Sequence, residues 1–200
     1  DLYDASVAEL DGDLRELNAV LERAGVLGET LIVVTADHGE AFWENGMIEH
    51  GLQLSETLVG VPLIVAGPGV PNGRRVPDVV RTIDVYPTLA ELAGAPTPDL
   101  VQGESLAPFF EPEGAKVPPR SAYSSLGRRK AVRLGAYKLL VGPDGQTIHD
   151  VLRDPLEEHD LLPEMPEVRV ELENALAEWR TQERNRRRLV PDASTADLAS

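Results

Sequence analysis

The chain has 200 residues, 42% of them hydrophobic, no cysteine and a formal net charge of −15. A core for one medium domain, or one domain with a small appendage, is within reach, and a disordered chain is excluded. The acidity argues against nucleic acid, which needs a basic face to displace counterions; the lack of Cys excludes disulfides and thiolate metal sites; and no apolar run approaches the length of a membrane span.

The opening "DLYDAS" has no initiator Met and already follows a helical pattern, so residue 1 is expected not to be a natural beginning. There is no basic-apolar signal segment at the start of these residues. Residues 4–24 read as an amphipathic helix, with Leu10, Leu14, Leu17 and Leu21 at helical spacing and Gly25 and Gly28 to end it. "TLIVVTA" (30–36) is a short β-branched run of the kind buried on both faces of a parallel sheet. Residues 52–59 are expected to be helical. "VPLIVAG" (61–67) is a second buried strand, stopped by a Gly-Pro-Gly turn. "RTIDVYPTLAELAG" (81–94) reads as a helix, provided that Pro87 lies in its first turn. Strands alternating with helices indicate an α/β fold with a mainly parallel sheet, in which 30–36 and 61–66 are parallel neighbours or near neighbours.

The character changes after about residue 112. "EPEGAKVPP" looks like a linker. Short β-rich segments at 120–125, 130–134, 137–141 and 146–151, broken by Gly135 and a "GPDG" turn, suggest a small antiparallel sheet. A last helix over 166–188 puts Val168, Leu172, Leu176 and Trp179 on one face. Its basic run "RNRRR" (184–188) suits a helix C-terminus better than a ligand. The expected organisation is therefore an α/β part over 1–112, an antiparallel subdomain with a helix over 113–188, and a flexible tail over 189–200.

The chemistry concentrates in "VVTADHGEAFWENGMIEHG" (33–51). Asp37 and His38 follow directly on a strand, where open α/β sheets bind ligands. A carboxylate oxygen and an imidazole nitrogen make half of a divalent-metal site. Gly39 lets the backbone turn away without crowding an ion. A bare Asp-His-Gly is also what a solvated surface loop looks like, and the wider pattern decides between the two. Glu40 could orient His38 as an acceptor. Glu44 and Glu49 read as solvated loop carboxylates.

"TADHGE" (35–40), His50, "VPLIV" (61–65) and "GPG" (67–69) resemble, in order, motifs of the alkaline-phosphatase-like sulfatase family. "RTIDVYPTLAELAG", "QGESLAP" (102–108), "KAVRLGAYKLL" (130–140) and "HDVLRDPLEEHDL" (149–161) are similar to further family segments, so the resemblance covers about 160 residues. It implies an alkaline-phosphatase-like fold, here the C-terminal part, with a small antiparallel sheet and helix. It implies that Asp37 and His38 are ligands of one divalent cation, Ca²⁺ by family habit, although a His ligand suits Mn²⁺ or Zn²⁺ as well. It implies that His50 contacts the transferred anion or protonates the leaving oxygen. Asp84, Asp150, Asp154 and Glu157 fall in family motifs but read as structural, as do His149 and His159.

The resemblance also marks what these 200 residues do not contain. Members carry an upstream Asp pair for the metal and a Cys-x-Pro-x-Arg or Ser-x-Pro-x-Arg nucleophile. There is no Cys here, and no Ser opens such a motif. The chain is therefore expected to be part of a sulfuric ester hydrolase, inactive alone, acting on a sulfate-ester or phosphate-ester substrate. A phosphoesterase or phosphoryl transferase of the same superfamily and a non-catalytic metal-binding module are the alternatives. Many relatives act outside the cytoplasm.

Overall fold

The computed structural model describes residues 2–51, 53–111 and 117–189. The chain divides into two compact units. One comprises Asp1–Thr35, Pro62–Val76 and Arg81–Val117; the other comprises Ala36–Val61, Pro77–Val80 and Pro118–Ser200.

In the first unit, the leucine spacing yields α1, Leu2–Arg23. The chain leaves it through Gly25 at φ +73°, a left-handed position that a residue without Cβ takes at little cost. β1 (Ile32–Thr35) pairs with β4 (Leu63–Ala66), Ile32 opposite Ala66 and Thr35 opposite Leu63. The pair is antiparallel, which corrects the expectation that these strands run parallel. A parallel neighbour needs a crossover that carries the chain back along the strand, usually a helix of several turns. Among the described residues, the one α-helix between Thr35 and Leu63 has four residues, about 6 Å of rise, so the chain re-enters the pair at the end it left. Burial differs as well: Ile64 is 59% exposed, where a strand covered on both faces was expected.

Also in this unit, residues Thr82–Asp84 form a 3₁₀ turn that runs into α3, Val85–Leu92. Pro87 is the third residue of α3, inside the first turn, where a missing N–H costs nothing. Asp84 is fully buried and accepts hydrogen bonds from the Arg81 and Glu104 backbone N–H groups at 3.0 and 2.9 Å. The Thr88 hydroxyl donates to the Asp84 carbonyl and accepts from the Leu106 N–H. Asp84 thus organises the helix start, as its sequence context suggested.

The second unit opens with a two-strand hairpin, β2 (Ala41–Phe42) and β3 (Ile48–Glu49). The helix expected over 52–59 is α2, only Glu56–Val59. Ser55 is extended, so the helix begins after it, and Leu52 lies outside the described residues. The antiparallel sheet is a meander of β5 (Ser121–Leu126), β6 (Arg129–Leu134), β7 (Tyr137–Gly142) and β8 (Gly145–Asp150). Each expected strand is present. Gly127 and Gly135 take positive φ in two-residue turns, the geometry that matches strand twist.

The final helix α4 (Pro166–Leu189) lays Leu172 and Leu176 on Val132, Leu139 and Ile148 of this sheet. Val168 and Trp179 pack beside them, and Trp179 stacks on Tyr123 with ring centroids 5.3 Å apart. The linker residues 112–116 and the tail beyond Leu189 lie outside the described residues. No helix among the described residues is long and apolar enough to cross a membrane.

Candidate functional site

Asp37, His38 and His50 all belong to the second unit. The β2–β3 hairpin brings them together. Ala41 pairs with Glu49, so the chain just before β2 and the chain just after β3 end side by side. The His38 and His50 rings stack there, with centroids 4.0 Å apart and planes at 28°.

Each side chain has a defined polar environment. One Asp37 carboxylate oxygen, Oδ1, accepts the His38 N–H at 2.9 Å, and the side chain is otherwise 89% exposed. The His38 Nδ1 lies 2.9 Å from the Gly39 carbonyl. A carbonyl only accepts, so Nδ1 carries the hydrogen and the lone pair of the neutral ring is on Nε2. That Nε2 is 3.8 Å from Asp37 Oδ2. Two donors of one cation, each at about 2.0–2.6 Å from it, stand about 3–4 Å apart. The pair fits a divalent cation, and its hard oxygen and borderline nitrogen suit Ca²⁺, Mn²⁺ or Zn²⁺.

Glu40 behaves differently from expectation. Its carboxylate faces His50, with Nδ1 to Oε2 at 3.2 Å, and does not orient His38. The reason is local: His38 Nδ1 already has the adjacent carbonyl. The contact to Glu40 leaves His50 Nε2 as the outward atom. Glu44 is also more than a solvated carboxylate, since it folds back to accept the Phe42 N–H. The role of Glu40 was missed because the residues are ten apart, and only the hairpin closes that gap.

Gly39 has a reason to be glycine. Its N–H donates to the Leu58 carbonyl at 2.8 Å, and a Cβ built on it would lie 2.0 Å from the Thr57 carbonyl oxygen. The turn that carries Asp37 and His38 therefore lies flush on α2.

A second grouping among the described residues, Asp154, Glu158 and His159, has ligand-type atoms within 4.8 Å of one another. Asp154 is the turn residue that its Asp-Pro context suggested. It accepts the His159 and Glu158 backbone N–H groups at 2.9 and 3.2 Å. The His159 amide bond, followed by that of Glu158, holds its carboxyl below the ordinary 3.8. A lowered folded value means stability that is present above about pH 4 and lost as pH falls through the folded value. Asp154→Asn is expected to be less stable than wild type near pH 6, with the gap closing as the pH falls through the lowered Asp154 value. Urea unfolding across this range checks it, and a gap that stays constant with pH would sink it.

A family model described as Sulfatase matches residues 1–95. Arylsulfatase K of Mus musculus is 30% identical over 190 residues, which covers 87% of this chain and 34% of that protein. Among solved structures, a putative sulfatase from Bacteroides thetaiotaomicron superposes with a TM-score of 0.68 at 27% identity, over 82% of this chain and 38% of that one. BT4656, solved in complex with its substrate D-glucosamine-2-N,6-O-disulfate, gives 0.74 at 26% identity, over 96% of this chain and 41% of that one. The fold is the α/β fold of the alkaline-phosphatase-like sulfatases, with a C-terminal four-stranded antiparallel sheet and helix. The chain belongs to the sulfatase family. It spans about a third of the length of the curated relatives it matches.

Proposed function

We propose that this chain contributes to the site of a metal-dependent sulfuric ester hydrolase, with Asp37 and His38 as ligands of one divalent cation and His50 as the group facing the sulfate ester. The observation that carries this reading is the placement of Asp37 Oδ2 and His38 Nε2 3.8 Å apart, directly beside the His50 ring. A cation held there would supply Lewis acidity toward a sulfuryl oxygen. Ca²⁺ is the family's usual ion, and the donor set also accepts Mn²⁺ or Zn²⁺.

His38 presents its lone pair because the Gly39 carbonyl holds the hydrogen on Nδ1. His50 is aimed by Glu40, so its Nε2 is the atom that contacts the anion or delivers a proton to the leaving oxygen. Glu40 keeps the ring oriented through that exchange. The 200 residues hold no Cys-x-Pro-x-Arg or Ser-x-Pro-x-Arg segment, and family chemistry runs through a covalent intermediate. These residues alone are therefore expected not to turn over substrate.

The test compares the 200-residue chain with the same chain joined to the remaining two thirds of a sulfatase relative. Only the joined protein should hydrolyse an aryl sulfate. Asp37→Ala or His38→Ala should lower its kcat/KM by about 100-fold or more. His50→Ala should cost less and alter the pH profile. Preference for an aryl phosphate over the sulfate would move the reading to phosphoester chemistry. Metal-dependent turnover by the 200 residues alone, or by Asp37→Ala, would overturn it.

A further inference from the structure

Lys138 lies on β7, 1% exposed. Its Nζ stands 3.2 Å from Glu56 Oε2 and 3.0 Å from Glu157 Oε1. The second approach is off the hydrogen-bond axis and acts as a charge contact. Arg133 on β6 forms a close ion pair with the other Glu56 oxygen. Glu157 is itself buried and held at φ +56°, a backbone conformation unfavourable to a residue with a side chain. Two cations and two carboxylates thus form an electrically balanced quartet inside the second unit.

Such a quartet is a poor source of stability, because desolvation of the charges offsets their attraction. Its effect is to allow only one arrangement of the elements that carry it. Here those elements meet at α2. The Glu157 Oε2 accepts the Glu56 N–H at 2.8 Å, capping the start of this helix. The Glu56 side chain is clamped by Arg133 and Lys138. A single four-residue turn has no cooperative helical stability of its own, so these contacts hold it. At its far end, α2 accepts the Gly39 N–H through Leu58, and its Thr57 carbonyl fills the space beside Gly39. Gly39 in turn holds His38, and His38 stacks on His50.

We propose that Glu56, Glu157, Lys138 and Arg133 are positioning residues: through α2 and Gly39 they place the Asp37–His38 turn against His50 before any cation or substrate arrives. The functional meaning rests on the reading of the site given above. The placement itself is tested separately.

The experiment uses the 200-residue chain in solution at neutral pH. In the wild type, the stacked rings shift the carbon-bound ring protons of His38 and His50 in the NMR spectrum. Added Mn²⁺ broadens them in an Asp37-dependent way. Lys138→Met alone strands the Glu157 charge, so the informative variant is Lys138→Met with Glu157→Gln, which removes one charge of each sign.

This double variant is expected to keep the Tyr123–Trp179 signals of the folded sheet and to lose the His38 and His50 ring shifts. It should need about ten-fold more Mn²⁺ for the same broadening. If it does not fold, Glu56→Gln carries the same expectation. A folded variant with wild-type ring shifts and wild-type Mn²⁺ response would overturn the proposal, as would a wild type without the ring shifts. A wild type with the ring shifts but no Asp37-dependent Mn²⁺ response would overturn the metal reading, and the ring shifts would still decide the positioning.

Discussion

Asp84→Ala is expected to destabilise the chain by about 3–5 kcal/mol, the cost of stranding a buried charge partner. Asp84 has no exposed surface, and its carboxylate serves three groups at once. The Arg81 guanidinium reaches it through Nε and Nη2, the latter at 2.8 Å, and the Arg81 and Glu104 backbone amides donate to it. Burial by itself lowers the Arg81 pKa, but the hydrogen bond and charge of Asp84, with a smaller contribution from Glu104, outweigh it and hold the guanidinium more firmly protonated than usual. With alanine, two backbone donors lose their acceptor, and the Arg81 guanidinium loses its buried partner while Glu104 remains 3.2 Å from its Nη2. Asp84→Asn keeps one acceptor oxygen and should cost less. Urea unfolding of the three proteins decides; a loss under about 1 kcal/mol for alanine would mean that this turn is held by α3 packing instead.

Lys138→Ala is expected to cost a similar amount, about 3–5 kcal/mol, by leaving Glu157 buried and unpaired. Glu56 suffers less because Arg133 remains beside it. Lys138→Met with Glu157→Gln should stand within about 1–2 kcal/mol of wild type, since a buried pair replaced as a pair is often nearly neutral. The contrast between single and double variants is the diagnostic, measured as unfolding free energy and as a coupling between the two sites. Equal losses in both would show that removing the stranded Glu157 charge restores nothing, so that the loss does not come from leaving it unpaired.

Much of the second unit was legible because its signals are local. The glycine turns between the C-terminal strands mark each reversal, and the strands between them appear within a residue or two of the expected bounds. The helical spacing of Val168, Leu172, Leu176 and Trp179 named the face that covers the sheet. The Asp-His-Gly run pointed to the candidate site because its chemistry is contiguous. By contrast, "TLIVVTA" and "VPLIV" read as strands but not as an antiparallel pair. A β-branched run records that it is extended and apolar; it does not record the direction of its neighbour.

The amino-acid sequence by itself determined which segments extend or coil, where the turns fall and which side chains are the candidates for metal-binding and acid–base chemistry. These follow from backbone preference and side-chain type over a few residues. The tertiary structure alone decided that β1 and β4 run antiparallel, that Glu40 serves His50 and not His38, and that the His38 and His50 rings stack. It also decided that Glu56 meets Lys138, 82 positions away, in a buried network beneath the Asp37–His38 turn. Each of these depends on which distant segments pack together, a choice made by the burial of apolar surface and the pairing of buried charge across the whole unit, and no short window of sequence carries it.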